Sequence, residues 1–305
     1  MRILVIGSVN MDLVVRVDHV PAPGENVRGE RLEMIPGGKG ANQAVACARL
    51  GAETTMLARV GDDPFGRRLV EELAGAGVRT DAVSAVGGCA SGAALILVEA
   101  GGENAIVITP GANGRLGPDD VDAARDLLAD ADAVVLQLEI PAETVARAIR
   151  LAREVGTLTV VDAGPPRLPI DEAVLGADVL TPNEAEAAAL LGIEPGTRPP
   201  EDLARALLER GPRAVVVKAG SRGAVVAEEG RLQSVPAFSI EPVDTTAAGD
   251  AFTAALAVAV VEGTDLVEAA RRANAAGALA AMRLGAQPSM PTAEAVAAFL
   301  EQQGG

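Results

Sequence analysis

The sequence predicts an α/β fold, a mostly parallel sheet covered by helices on both faces. Three observations point there. Short apolar runs recur along the chain with helix-period segments between them. Hydrophobic residues make up 49% of 305 residues, enough for the core of one large domain. Two segments break the rhythm with strand-like alternation, which calls for a smaller sheet beside the main one.

The elements follow in order. Ile3, Leu4, Val5 and Ile6, ended by Gly7, read as a buried strand, and residues 134–138, 158–161, 179–180 and 214–217 read the same way. Between them, Leu69, Val70 and Leu73 share one helix face before Gly75. Val145, Ala148, Ile149 and Ala152 do so before Gly156, and Leu203, Leu207 and Leu208 before Gly211. Strand and helix in alternation build βαβ units. Residues 13–36 alternate without a helix, and residues 93–109 form a hairpin about a turn at Gly101, Gly102, Glu103 and Asn104. Val14, Leu95, Leu97, Ile106 and Ile108 are expected to share the apolar face of that small sheet.

Composition excludes several chemistries. There is no Trp or Tyr, and the chain has four Phe, one histidine (His19) and two cysteines (Cys47 and Cys89). A Ser-His-Asp triad would depend on His19, and a structural zinc site lacks ligands. A net charge of −16 opposes nucleic acid and anionic membranes, so neither is expected as a partner. No secretory signal or membrane-length apolar run is visible, and two distant cysteines suggest no disulfide framework; a reduced, cytoplasmic protein is expected.

Chemistry is left to carboxylates, lysines, hydroxyls, backbone amides and ions. The segment DTTAAGD at 244–250 precedes an apolar helix. Its small residues allow close backbone approach, the helix start offers free amides to an anion, and Asp250 would stand beside that anion as a proton acceptor. By itself the pattern fits a first-turn carboxylate stabilised by the helix dipole equally well. GGKGANQA at 37–44 is not a phosphate-binding P-loop: Gly40 follows Lys39, and Glu33 stands where the first glycine belongs. It reads as a glycine loop opening a helix to about Leu50, with Lys39 and Asn42 offered to a polyhydroxylated ligand. GSVNMD at 7–12 puts Asn10 and Asp12 at the carboxyl end of the first strand, where open α/β sheets bind ligands. An ordinary Asx turn accounts for it as well. Residues 181–186 and 218–223 are further strand-end loops.

Taken in order, these motifs resemble the ribokinase family of carbohydrate kinases over essentially the whole chain. DTTAAGD is similar to that family's C-terminal signature and GGKGANQA to its N-terminal one. The finer features are similar to the members that phosphorylate ribose: GSVNMD, the lysine in the glycine loop, QLEIP at 137–141 and GAQPSMP at 285–291. The resemblance implies one doubly wound domain over residues 1–305 with a β-lid at about 13–36 and 93–109, and a homodimer through the lids. It implies ATP and D-ribose as substrates, Mg²⁺ with the nucleotide, and K⁺ or another monovalent cation.

It also implies roles. Asp250 is the general base, and Ala247, Ala248 and Gly249 form the anion hole. Asn10, Asp12, Gly38, Lys39, Asn42 and Glu139 contact the sugar. Asn183, Lys218, Gly220, Ser221, Gly223 and Asn274 surround the nucleotide, together with Ala248 and Gly249. Glu186 supports Mg²⁺ through water. Asp244, Thr246, Ala280, Arg283, Gly285 and Ser289 match the monovalent-cation site. Lys218 departs from the family pattern, which leads to a smaller polar residue there. The alternatives are a related kinase for deoxyribose, fructose or a nucleoside, and a sugar-binding regulator without catalysis.

Overall fold

A computed structural model describes residues 1–99, 101, 103–166, 169 and 171–303. The main sheet is ordered β13-β12-β11-β10-β9-β8-β1-β4-β5. Its strands are β1 (Arg2–Ile6), β4 (Glu53–Gly61), β5 (Val83–Val86), β8 (Ala133–Leu136), β9 (Leu158–Val161), β10 (Val179–Leu180), β11 (Ala214–Lys218), β12 (Ala224–Glu228) and β13 (Arg231–Val235). Neighbours pair in parallel except β11–β12 and β12–β13.

The apolar runs form strands because both faces of the sheet are covered. Ile3, Val5, Val135, Val160 and Val216 point into one apolar cluster. It is closed by α1 (Lys39–Arg49), α2 (Pro64–Gly75), α8 (Ala248–Val261), α9 (Leu266–Ala281) and α10 (Ala293–Gln303). Leu4, Ile6, Val134, Leu136, Val161 and Val215 point into the other, under α3 (Pro118–Ala123), α4 (Arg125–Asp130), α5 (Ala142–Val155), α6 (Glu184–Leu191) and α7 (Pro200–Leu208). The expected helices at 69–73, 145–152 and 203–208 are α2, α5 and α7.

Strand order reverses between β1 and β8: from β1 the chain order runs through β4 to β5, and from β8 through β9, β10 and β11. The loops leaving β1 and β8 diverge there and open a crevice.

A second, four-stranded sheet is ordered β3-β2-β6-β7, with β2 (Asn10–Val17), β3 (Leu32–Gly37), β6 (Gly92–Glu99) and β7 (Asn104–Thr109). Gly102 of the expected hairpin turn lies outside the described residues. The register corrects one expectation. Asp12, Val14, Ile106 and Ile108 lie on one face, since Asp12 pairs with Ala94, Ala94 with Ile108, Val14 with Ile96 and Ile96 with Ile106. Leu95 and Leu97 lie on the opposite face with Leu13, Val15 and Val107. Both faces carry exposed apolar side chains: Ile106 and Ile108 on Asp12's side, Leu32, Met34, Leu95 and Val107 on the other.

Candidate active site

The glycine loop is fitted under the first strand's exit. Gly38 has φ 89°, and a side chain there would begin 2.9 Å from the Asn10 amide nitrogen, so only glycine fits. The carboxylate of Glu139, from the QLEIP segment, fastens the loop. Its Oε2 accepts the Lys39 amide at 3.0 Å and the Ser8 hydroxyl at 2.5 Å. It thus sits at the positive start of α1, where an anion is favoured.

Asn10 is held by a residue the motifs did not reveal. Asn113 donates to Asn10 Oδ1 at 2.7 Å and grips Val9 through its amide and carbonyl. Asp12 projects beside them. Burial, then the Glu139 and Asp250 carboxylates, push its pKa up to about 7.

Asp250 is the third residue of α8 and is buried. Asn42 Nδ2 donates to its Oδ2 at 2.9 Å, Gln43 Nε2 to its Oδ1 at 2.9 Å, and Lys39 Nζ lies 3.6 Å from Oδ1. Asn42 Oδ1 is buried without a hydrogen-bond partner among the described residues, an acceptor suited to a ligand hydroxyl. Burial works against the Lys39 ammonium, but Asp162, Asp250 and Glu186 outweigh it and hold its pKa above the ordinary lysine value. Just before α8 the chain turns through Ala247 in the left-handed region, φ 59°, which costs energy for a residue with a side chain. Ala248 donates to the Thr245 carbonyl at 3.2 Å. The Ala247 and Gly249 amides have no partner among the described residues and remain for an anion.

Behind this turn lies a cavity of about 520 Å³ lined by Lys218, Gly220, Ser221, Gly223, Ala248, Gly249 and Asn274. Its apolar wall includes Phe252, just after the DTTAAGD segment, and Phe238 and Ile240, which no local pattern marked. Asn274 donates to the carbonyls of Val235 and Pro236 at 3.2 and 3.1 Å, bracing the segment that forms this wall. Asn183 does not line the cavity. It caps α6: its side chain accepts the Glu186 amide at 2.8 Å, while Glu186 accepts the Asn183 amide at 2.7 Å.

The expected cation loops come together through Asp244. Its carboxylate accepts the amides of Thr246 and Gly285, each at 2.9 Å. Burial raises its pKa, and the Thr246 side chain together with these amides more than offsets that, leaving it below the usual carboxylate value. Arg283 donates its amide to the Ala280 carbonyl at 3.1 Å, and the Ser289 hydroxyl donates to the Ala286 carbonyl at 2.7 Å. Among the described residues, no three His, Cys, Asp or Glu side chains cluster as a metal site.

A crevice at the sheet's switch point, a buried carboxylate on a helix start and an adjoining cavity with free amides define a ligand-binding α/β enzyme built for group transfer to a hydroxyl. The pfkB family carbohydrate kinase model matches residues 1–293, and the chain belongs to that family. It is therefore an ATP-dependent carbohydrate kinase. A ribokinase of Bacillus subtilis is 40% identical over 299 residues, spanning 98% of this chain and 99% of that protein. A deoxyribokinase of Salmonella typhi is 36% identical over 296 residues, 96% and 97% of the two chains. The structure of Arabidopsis thaliana ribokinase complexed with ribose and ATP superposes with a TM-score of 0.90 at 34% identity, covering 98% of each chain.

Proposed function

We propose that this chain is a ribokinase that moves the γ-phosphoryl group of ATP to the 5-hydroxyl of D-ribose, giving D-ribose 5-phosphate and ADP. The observation that carries this reading is the position of Asp250, between a cleft of buried polar side chains and a cavity with free backbone amides. Asn10, Asp12, Gly38, Asn42 and Glu139 bind the sugar, and the orphaned Asn42 Oδ1 accepts one of its hydroxyls. Asp250 takes the proton of the attacking hydroxyl. The amides of Ala247, Ala248 and Gly249 receive the charge developing on the transferring group, Ala248 after giving up its turn bond. Lys39 counters that charge from the sugar side.

The nucleotide lies in the cavity with Gly220, Ser221 and Gly223 at its backbone and Phe238 and Ile240 against the base. Asn183 and Asn274 act by fixing neighbouring segments. Mg²⁺ brought with ATP would neutralise phosphate charge, and Glu186, acting through water, is an oxygen donor of the type it takes. A monovalent cation such as K⁺ fits the loops at Asp244, Thr246, Ala280, Arg283, Gly285 and Ser289, whose donors are hard oxygens, chiefly backbone carbonyls. Bound there, it would stiffen the segment leading into the anion hole.

The small sheet acts as a lid. Exposed apolar side chains on both faces are too many for one sugar to cover, and a second lid in a twofold dimer covers the rest. The deoxyribokinase relative keeps a second reading open, 2-deoxyribose as acceptor. ADP release measured over ribose, 2-deoxyribose, fructose and a nucleoside decides it: ribose should give the highest kcat/KM, and any other leader overturns the assignment. Sedimentation at micromolar concentration should show a dimer; a monomer overturns the lid arrangement.

A further inference from the structure

Asp162 belongs to none of the sequence motifs, yet it joins the two ends of the site. It follows β9, is fully buried, and takes three side-chain donors from distant parts of the chain. Lys39 Nζ reaches Oδ2 at 3.1 Å and Gln43 Nε2 reaches it at 2.8 Å, while Lys218 Nζ reaches Oδ1 at 2.9 Å. Burial opposes its charge, but the Lys218 and Lys39 ammonium groups outweigh that and keep it ionised below the ordinary carboxylate range.

Lys218 comes from the end of β11 and turns toward α8. A side chain begun at Gly249 would start 3.8 Å from its Nζ, so the ammonium stands at the helix's first turn. An ammonium has three donors. Asp162 takes one, and the Thr253 hydroxyl is a long second partner at 3.5 Å. Among the described residues lining the 520 Å³ cavity, Lys218 is the only charged one. A chain of net charge −16 repels polyphosphates as a whole, so a local cation is needed where the phosphate chain must lie.

We infer that Asp162 is a positioning residue that fixes Lys218 against the first turn of α8, where its ammonium contacts the phosphate chain of the bound nucleotide. Lys39 draws on the same carboxylate, so one buried charge sets the place of both lysines. The lysine at 218 and the aspartate at 162 thus form a unit: a buried ammonium there needs a counter-charge, and Asp162 supplies it. The inference rests on the kinase reading for the identity of the anion.

Calorimetric titration with two probes tests it: adenosine, and the Mg²⁺ complex of a non-hydrolysable ATP analogue. In Lys218→Met the analogue should bind about tenfold more weakly or worse, as for a lost charge-assisted hydrogen bond, and adenosine within twofold of wild type. Equal losses for both probes, or none, overturn the phosphate contact. Asp162→Asn should show the same selective loss. The double variant removes one charge of each sign and stays informative should Asp162→Asn alone fail to fold; its affinity for the analogue should match that of Lys218→Met. A further loss of more than about threefold in the double variant would show that Asp162 acts on nucleotide binding by a route other than Lys218 and overturn the inference that it works by placing Lys218. A wild-type protein that phosphorylates no sugar, yet shows the selective loss, supports this inference while overturning the sugar-kinase assignment.

Discussion

The two ends of the site hold their ligands by different means. At the proposed sugar end, Asn10, Asn42, Glu139 and Asp250 are buried or half-buried polar side chains held by hydrogen bonds, Asp12 stands beside them, and Asn42 Oδ1 is left unfilled among the described residues. At the nucleotide end, glycine loops, helix-start amides and an apolar wall shape the cavity, and Lys218 is its charged group. A network of buried polar groups rejects any ligand that leaves one of them unpaired, whereas an apolar wall discriminates mainly by size. Selectivity for the acceptor should therefore be steep, and changes at the sugar end should leave nucleotide binding nearly untouched.

The sharpest break of this division is Asp250→Asn. Turnover should fall by about 10²–10⁴, as for loss of a general base, with nucleotide affinity unchanged. Turnover within a few-fold of wild type would remove Asp250 from the chemistry. Next comes the acceptor itself. A 2-deoxy sugar leaves a buried partner unpaired at about 1–3 kcal/mol, roughly 5- to 150-fold in kcat/KM against ribose. Parity between the two sugars would mean that the polar network does not read that hydroxyl.

A smaller effect follows from Asp12, whose pKa is raised to about 7 in the free protein. Sugar hydroxyls donating to its carboxylate favour the ionised form, so ribose binding should expel a proton below pH 7. Affinity should rise with pH by at most about tenfold per unit between roughly pH 5 and 7 and level off above. Calorimetry in two buffers at pH 6 measures the released proton, and Asp12→Asn should abolish it. The same shift acts on stability with the opposite sense. The folded state holds this proton more tightly than the unfolded state, so the contribution of Asp12 to stability declines as pH rises from about 4 to 7. The smallest effect concerns the loops outside both ends: K⁺ should raise kcat by a few-fold over Na⁺ at equal ionic strength. Equal rates, with trace K⁺ removed, would count against that site.

How far the sequence reaches follows the same physics. Uninterrupted apolar runs marked β1, β8, β9, β10 and β11 because burial on both faces leaves no polar position to confuse the pattern, while β4, β5, β12 and β13 were not foreseen. The glycine loop and Asp250 stood out because close backbone approach demands small residues in series. Asp162 did not, since a single aspartate after a strand looks like a turn. Its partners at positions 39, 43 and 218 meet it only when three segments, α1, the end of β11 and the turn after β9, pack together. Asn113 and the wall residues Phe238 and Ile240 escaped for the same reason. The sheet faces were misassigned for another: alternation fixes parity within a strand, while parity between strands depends on the connections. Leu95 opposes Val107, and Ile96 opposes Ile106.

The pairing of β2 with β6 has a kinetic side. These strands run parallel, with Asn10 beside Gly92, so everything from β3 to β5 is synthesised between them. Closing so long a loop costs entropy before any ladder bond repays it. The small sheet is therefore expected to complete after the helices, whose contacts are local; the β1–β8 pairing at the centre of the main sheet, with Ile3 beside Ala133, closes a longer loop still. Asn10 and Asp12, which lie on β2, reach their places with it. On refolding, recovery of ligand binding at Asn10 and Asp12 should lag behind recovery of helix, and a chain caught in that interval displays the apolar strands of the small sheet.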